Sequence, residues 1–150
     1  MASTHDLTKW TPAHPYAQQE CPGRAYLKSA VFDAAKCNVE AGDTVELISI
    51  PANSFVAMVR YEVLTPEGAT LTVDLGDGAT PAGFVSNANG NSAGAEGVSA
   101  PVTLTEGTPN TVTGYSGGKY YAAADTLDLV CDHAAEAVKI KVQALIFDFN

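Results

Sequence analysis

The sequence has little positive charge. Its 150 residues include eight Lys and Arg against seventeen Asp and Glu, so the formal net charge is -9. Phosphate backbones and anionic lipid surfaces are bound mainly through Lys and Arg. The composition therefore argues against nucleic acid and membrane surfaces as partners. The acidic balance is more simply explained as a means of keeping the protein soluble and dispersed.

Long apolar runs and paired cysteines are also missing. No segment approaches the roughly 18 apolar residues of a membrane span, and residues 1–20 have no apolar core of the kind found in secretion signals. The three cysteines, Cys21, Cys37 and Cys131, are an odd number without close spacing. They predict free thiols in a reducing cytoplasm. Cys131 follows Val130 in a predicted strand and is interpreted as a small core residue.

Sustained helical spacing of apolar residues is absent as well, apart from a short piece near residues 30–35. Apolar and polar residues instead alternate in short segments that Gly, Pro and Asp separate, which is typical of strands joined by turns. The predicted strands span 26–32, 45–50, 55–64, 70–75, 102–104, 111–115 and 119–122, with a final pair in 120–149. This spacing predicts an antiparallel all-β sandwich or barrel of about eight strands. Residues 86–100, rich in Asn, Ser, Gly and Ala, are predicted to form a low-complexity loop.

The C-terminal segment carries the strongest strand pattern. Leu127 and Leu129 alternate with Asp128, and residues 138–143 alternate between apolar and polar, on either side of a short polar turn. From Ala144 the pattern becomes apolar on both faces, through Leu145, Ile146, Phe147 and Phe149. A strand that is apolar on both faces is expected in the middle of a packed body.

An extended N-terminal arm is predicted for residues 1–23, ahead of a β-sandwich domain of residues 24–150. The arm has too few apolar residues for a core strand. Its prolines exclude a long helix; they are Pro12, Pro15 and Pro22. Trp10 and Tyr16 are large aromatic exceptions, and they are interpreted as anchors on a partner or a neighbouring subunit. A tail that folds back on its own domain is the alternative.

Catalysis is not supported by the sequence. Gly114-Tyr-Ser-Gly-Gly118 resembles the nucleophile segment of chymotrypsin-like enzymes, and the residues around His14 resemble their histidine segment. Only thirteen residues precede His14, whereas that histidine needs a half-barrel of strands before it, and a Tyr replaces the Asp before the nucleophile. Ser116 is therefore expected to lie in an ordinary glycine turn.

Metal and cofactor sites are not indicated either. Asp74, Asp77 and Asp125 could supply oxygen ligands to Ca²⁺, but their spacing is not that of an EF-hand loop, and carboxylates at strand ends usually cap turns. The histidines and cysteines show no spacing typical of zinc ligands; the histidines are His5, His14 and His133. No Gly-rich loop with a following Lys cradles a phosphate.

The order of several segments resembles a known family. These are Leu47-Ile-Ser-Ile-Pro-Ala52, Val59–Val63, Ala69-Thr-Leu-Thr-Val-Asp-Leu-Gly-Asp-Gly78, Gly118-Lys-Tyr-Tyr-Ala-Ala-Ala-Asp-Thr-Leu-Asp128 and the final Val/Ile-rich strand. Over roughly residues 45–149 the chain resembles the head decoration, or cement, proteins of tailed bacteriophages. The resemblance is most specific at Leu75-Gly-Asp-Gly78, and the arm lies outside it.

The resemblance implies a jelly-roll-like β-sandwich without catalysis or cofactor. It implies a structural virion protein, made in the host cytoplasm, that lies on the outer capsid surface and ties neighbouring major capsid proteins together. The excess of apolar surface predicts a symmetric homo-oligomer, with a trimer somewhat favoured over a dimer. A head-fibre base or a tail component is the first alternative. A carbohydrate-binding module is the second, with Tyr115, Tyr120 and Tyr121 as its candidate aromatic cluster.

Overall fold

A computed structural model of the chain describes residues 23–37, 39–68, 70–99 and 114–150. Trp10 and Tyr16 lie outside these ranges, as do the strand predicted at 102–104 and residues 111–113 of the strand predicted at 111–115. Gly114–Gly117 forms a turn rather than the end of that strand. Within the ranges that are described, no helix has the length and apolar character needed to cross a membrane.

The described residues form nine strands and one short helical turn. The strands are β1 (Arg24–Asp33), β2 (Thr44–Ile50), β3 (Ser54–Thr65), β4 (Thr72–Gly76), β5 (Val85–Asn89), β6 (Glu96–Val98), β7 (Lys119–Tyr121), β8 (Asp125–Cys131) and β9 (Lys139–Asp148). A 3-10 helix at Ala34–Lys36 directly follows β1. The short helical piece expected near residues 30–35 is therefore mostly strand, with helix only at its end.

The nine strands form two antiparallel sheets. One sheet has the order β1-β9-β3-β6, with β7 also paired to β3, and the other has the order β2-β8-β4-β5. Successive strands lie in opposite sheets except at β4–β5 and β6–β7, and the last strands of the chain insert beside the first ones. Leaving β7 aside, this is the strand order of an eight-stranded jelly roll, a double-sheet sandwich. The prediction of an all-β, jelly-roll-like sandwich is confirmed.

The core lies between the sheets and follows the period of two along each strand. On β3, Val59, Tyr61 and Val63 are buried, and Arg60 and Glu62 between them are not. The facing sheet contributes the other half of the core, at Ile48, Ile50, Val73, Leu75, Leu127, Leu129 and Cys131. The alternation read from the sequence therefore gave the correct inward face, and Cys131 is a core residue as predicted.

Strand β9 is central, but its end is not enclosed on both faces. It pairs with β1 on one side and with β3 on the other, so its backbone is fully inside the sheet. Ala144 and Ile146 are buried, whereas Phe147 and Phe149 are 37% and 48% exposed. The expectation that the strand is buried on both faces is wrong, because a two-layered sandwich covers only one face of each sheet.

The prediction of a low-complexity loop at residues 86–100 is also wrong. This stretch contains most of β5 and all of β6. Both strands lie at sheet edges, where few apolar side chains are needed. Ala88 supplies one buried side chain opposite Val73. A Cβ at Gly97 would lie 2.7 Å from the Tyr61 ring, so that ring fills the space that a β6 side chain would occupy.

Candidate interaction surface

The outward face of the five-stranded sheet carries an apolar patch at one end. Strand pairing builds it in two rows that cross the sheet. In the first row Phe147 lies between Ala25 and Phe55, and Phe55 in turn lies opposite Tyr120. In the second row Leu145 lies between Leu27 and Met58. We call the large members of these rows the outer patch: Leu27, Phe55, Met58, Tyr120, Leu145 and Phe147.

Several side chains of the outer patch are strongly exposed. Leu27 is 56% exposed, Tyr120 52%, and Met58 and Phe147 each 37%. Phe149 extends the surface past the end of β9, with its ring centroid 6.5 Å from that of Tyr120. Single exposed apolar residues are normal, whereas neighbouring exposed apolar side chains of this kind are typical of interaction sites.

Polar side chains end the outer patch on one side. The next row across the sheet contains Arg60, which donates a hydrogen bond of 3.1 Å to the side-chain oxygen of Gln143. Arg60 also forms ion pairs with Glu62 and Glu96. The hydrogen bonds that the guanidinium donates to Glu96 first, and to Glu62, raise its pKa. The outer patch therefore has a charged border toward the middle of the sheet and reaches the sheet's end on the other side.

The described part of the chain begins at that open end, where residues 1–23 were predicted to form an arm. Gly23 directly precedes β1, has φ +120°, and lies against the last residues of the chain. A Cβ at Gly23 would be 3.2 Å from the Phe149 ring and 3.3 Å from the carbonyl oxygen of Asp148. Only glycine adopts this backbone conformation easily at so close an approach. The arm therefore starts beside the outer patch.

The tyrosine cluster considered for carbohydrate binding is mostly engaged inside the protein. Tyr115 and Tyr121 each donate a hydrogen bond of 2.8 Å to the buried carboxylate of Asp77. Lys119 pairs with the same carboxylate, and its ammonium lies 4.2 and 4.6 Å from the two ring centroids. Only Tyr120 points outward. The three tyrosines therefore do not form an exposed aromatic platform.

The electrostatics of this cluster confirm a tightly held carboxylate. Burial alone would raise the pKa of Asp77, but hydrogen bonds from Lys119, Tyr121 and Tyr115 outweigh it and lower that pKa to about 2. The backbone N–H of Thr80 adds another hydrogen bond of 2.9 Å. Burial, followed by the hydrogen bond to Asp77, raises the pKa of Tyr121. Asp77 thus holds a turn and β7 together, which is a structural role.

The other candidate residues of the described ranges lie in separate strands and turns. Asp74 and Asp125 accept backbone hydrogen bonds from Asn87 and Thr126. Ser116 lies in the turn Gly114–Gly117, and its proposed histidine partner lies outside the described ranges. Among the residues that the structure describes, no three His, Cys, Asp or Glu side chains are grouped so that they could hold a metal ion.

The sequence indicated only part of the outer patch. The apolar run at the chain's end pointed to Leu145 and Phe147. Leu27 and Met58 were not singled out, because their strands read as ordinary alternating segments. The available signal was that β1 has apolar residues at consecutive positions, Ala25, Tyr26 and Leu27, and therefore on both of its faces. Tyr26 packs toward the core, so Leu27 must face outward.

Comparison with solved structures shows that this fold occurs in bacteriophage capsids. A chain of the cyanophage Pam1 capsid asymmetric unit matches with a TM-score of 0.61 and 13% identity, over 99% of both chains. A chain of the capsid of Ralstonia phage GP4 matches with a TM-score of 0.58 and 16% identity, over 96% of this chain and 94% of that one. A chain of the acid-stable capsid of Helicobacter pylori bacteriophage KHP30 matches with a TM-score of 0.56 and 17% identity, over 84% and 89%.

Sequence comparison adds nothing to this. No protein-family model matches the chain, and no curated protein matches it at a significant level. The likeness is therefore one of fold, shared with chains of similar length that are found in phage capsid structures.

Proposed function

We propose that this chain is a structural virion protein that decorates and stabilises the capsid of a tailed bacteriophage. Its partner is the lattice of the major capsid protein, and its position is the outer capsid surface, which it reaches after synthesis in the host cytoplasm. It acts as a symmetric homo-oligomer, with a trimer somewhat favoured over a dimer. The proposal includes no catalytic step and no cofactor.

The observation that carries the proposal is the fold likeness over nearly whole chains. Three chains from phage capsid structures match this one, and each match covers at least 84% of this chain and 89% of the other. The matching unit is thus a small sandwich of about this chain's own length, not a domain inside a much larger subunit. The segment order that resembles decoration proteins supports the same function.

The surface properties support binding on the outside of a shell. A net charge of -9 disfavours contact with packaged DNA, whose phosphates are also negative. The outer patch supplies exposed apolar area in a chain of low charge, which suits a protein-binding surface. Two of the groups that a carbohydrate-binding face would need, Tyr115 and Tyr121, are bonded to Asp77 instead.

Stabilisation of a shell follows from binding to its assembled form alone. A ligand that binds one state of an equilibrium shifts the equilibrium toward that state. A decoration protein that contacts two neighbouring capsid subunits finds its full site only in the lattice. Weak contacts repeated by symmetry then add up through a high effective concentration.

The arm is proposed to contribute the anchors of the assembled state, either directly on the capsid or on a neighbouring copy whose oligomer the capsid binds. Trp10 and Tyr16 are large aromatic side chains, and each contributes about 1.5–3 kcal/mol when it is buried on a partner. A protein held to the shell in this way loses affinity when the arm is removed, while its sandwich remains folded.

The test is retention on capsids that have been stripped of the protein and then mixed with purified variants. Wild type is expected to co-sediment with the capsids and to raise the temperature at which they release DNA. Deletion of residues 1–20, or Trp10→Ala alone, should weaken retention at least about tenfold, equivalent to about 1.4 kcal/mol. Thermal melting of the free variants serves as the folding control.

Two outcomes would overturn the proposal. Absence of wild-type binding to intact capsids, together with detection of the protein in purified tails or head fibres, would favour the first alternative. Binding to immobilised glycans but not to capsids would favour the second. Retention that is unchanged by either arm variant would leave decoration in place and would move the attachment surface to the sandwich.

A further inference from the structure

We propose that the outer patch of one copy is the docking surface for the N-terminal arm of a neighbouring copy, with Trp10 seated on the patch. The inference rests on the self-association that is part of the proposed function and identifies the surfaces that produce it. Capsid binding is not needed for it, so its test can be carried out on the free protein.

The first argument is that the outer patch has no cover in the described part of the chain. Leu27 and Tyr120 lie at opposite edges of the patch, and both are more than half exposed, so the patch is uncovered across its width. The charged row at Arg60 closes one side, and the sheet's end leaves the other side open. A segment that enters from the open end and lies across the strands would cover the apolar rows without burying these charges.

The second argument is the position of the arm's attachment point. Gly23 packs against Phe149, and two residues later Ala25 lies opposite Phe147 in the outer patch. The arm of every copy therefore leaves its sandwich beside a patch. In a closed symmetric assembly, copies that meet near this end bring each arm close to the patch of the next copy.

The third argument is the reach of the arm. Trp10 lies thirteen residues before Gly23, and an extended, proline-containing segment spans ~3.1 Å per residue, or about 40 Å. The patch itself spans four strands, or about 15 Å at the usual strand spacing. A domain of this size is roughly 35 Å across. An extended arm thus carries Trp10 past its own patch and over the distance to a neighbouring copy.

The fourth argument is chemical fit. The patch presents Leu, Met and Phe side chains, and the flexible Met58 can adapt to a large ring. The arm is nearly neutral, with Lys9 as its basic residue and Asp6 and Glu20 as its acidic residues. Docking the arm therefore avoids the repulsion that two surfaces of a chain with net charge -9 would experience.

Each copy in this arrangement gives one arm and receives one. Such a contact joins two different surfaces, so it is satisfied either by reciprocal exchange in a dimer or by a closed head-to-tail ring. In a ring of three, every arm is docked and every outer patch is covered. The patch is then buried in the oligomer rather than left in water.

The experiment uses the fluorescence of Trp10, the single tryptophan of the chain. Wild type at micromolar concentration is expected to show a blue-shifted emission that acrylamide quenches poorly, together with an oligomeric mass in light scattering. Leu27→Asp should give the emission of a water-exposed indole and should weaken self-association at least about tenfold. Leu27 faces outward, so the sandwich should remain folded, as a thermal melt will check.

Val31→Asp is the matched control. Val31 lies on the same strand and the same face as Leu27 and is 52% exposed, but it pairs with Lys141 outside the outer patch. This variant should keep the emission and the mass of wild type. If it behaves like Leu27→Asp, added charge on the sheet explains the result and the docking assignment is overturned.

A mixing experiment identifies the copy that supplies the arm. Leu27→Asp has an intact arm and a damaged patch, whereas Trp10→Ala has an intact patch and no tryptophan. Mixing the two should shift the emission to the blue, because the arm of the first docks on the patch of the second. An unchanged spectrum would overturn exchange between copies, as would a blue-shifted wild-type spectrum from a strict monomer.

A water-exposed emission from wild-type protein at every concentration would also overturn the inference. The two proposals fail separately, since capsid retention measures decoration and the fluorescence measures arm exchange. A protein that is retained on capsids but shows an exposed Trp10 in the free oligomer would disprove the arm exchange only.

Discussion

Lys119 of β7 and Asp77, which directly follows β4, form an ion pair in which the Asp77 side chain is fully buried and the Lys119 side chain is 24% exposed. They lie 42 residues apart in the sequence. Tyr115 and Tyr121 complete the hydrogen bonds of the carboxylate from two sides. The pair fastens β7, a short strand that pairs only with β3, to the turn between β4 and β5.

Asp77→Asn should destabilise the protein by about 3–5 kcal/mol at pH 7, because it leaves the half-buried Lys119 ammonium without its counter-charge. Chemical denaturation measures the free energy of unfolding. The double variant Asp77→Asn/Lys119→Met should cost less than the two single variants together, since both remove the same interaction. Strict additivity would show that the pair does not act as a unit.

The same carboxylate sets part of the acid stability. Its folded pKa of about 2 lies below its ordinary value of 3.8, so the ionised form stabilises the native state. This contribution is fully present above the ordinary pKa and is lost as the pH falls from about 4 toward 2. Wild type should therefore lose more stability than Asp77→Asn between pH 5 and pH 2, as measured by thermal melting.

Asp128 should have the opposite effect. It is 4% exposed on the outward side of β8, opposite Gly76, and its Oδ1 has no hydrogen-bond partner in the described part of the chain. Burial first, and then the nearby charges of Glu46, Asp125 and Asp77, raise its pKa. The turn that follows Gly76 explains the burial, since a Cβ at Gly76 would lie 2.0 Å from the Thr80 carbonyl oxygen.

Asp128→Asn is expected to raise the free energy of unfolding at pH 7 by about 1–3 kcal/mol, because it replaces a buried charge near other carboxylates with a neutral amide of the same shape. Since the folded pKa of Asp128 is raised, wild type gains stability from this group as the pH falls through that pKa. The advantage of the variant should therefore shrink toward pH 4. A variant that is less stable than wild type at pH 7 would contradict this account.

Glu67 ties the loop after β3 to the turn before β9. Its carboxylate accepts backbone hydrogen bonds of 3.0, 3.0 and 2.8 Å from Glu136, Ala137 and Val138. Burial would raise the pKa of Glu67, but these three hydrogen bonds outweigh it and lower the pKa. Glu67→Gln should lower the free energy of unfolding by about 1–2 kcal/mol at pH 7.

The pH dependence provides the check on Glu67. A lowered folded pKa means that the stabilisation is present above the ordinary value of 4.5 and disappears as the pH falls through the folded pKa. The difference between wild type and Glu67→Gln should therefore vanish in acid. Glu62→Gln is a suitable control, because Glu62 interacts with Arg60 at a partly exposed site instead. A difference that persists unchanged at pH 2 would exclude the ionised hydrogen-bonded form.

Neighbouring residues at the end of β9 should differ in their response to truncation. Ile146 is fully buried, so Ile146→Ala should cost about 2–5 kcal/mol. Phe147 faces outward and is 37% exposed, so Phe147→Ala should cost about 1–2 kcal/mol in the free monomer. Denaturant unfolding at low protein concentration compares them. Equal losses would show that the ring of Phe147 is enclosed in the monomer.

The strands with a clear period of two could be predicted from the sequence because a sandwich buries one face of each strand. Strand β3 shows this directly, since Val59, Tyr61 and Val63 are buried as the alternation predicted. Strands β5 and β6 could not be recognised in the same way. At the edges of the sheets a single Ala88, or a Gly97 beneath the Tyr61 ring, is enough to fill the inner face.

The pairing of strands that are far apart in the sequence explains why part of the candidate site could not be predicted. Leu27, Met58 and Leu145 belong to three strands that are far apart in the chain, and only the pairing of β1 and β3 with β9 places them in one row. The hydrogen bonds of Asp77 likewise depend on residues about 40 positions away. Local periodicity contains no information on which strands become neighbours, so neither arrangement could be predicted.

The contact between Gly23 and Phe149 has a practical consequence for attaching foreign peptides. Since the start of the sandwich and residue Phe149 meet at the same corner, a peptide fused after Asn150 would crowd the outer patch. The turn between β8 and β9 lies at the far end of β9, and His133 and Ala134 are exposed there. A peptide inserted between these two residues should point away from that corner, which makes this turn the better insertion position.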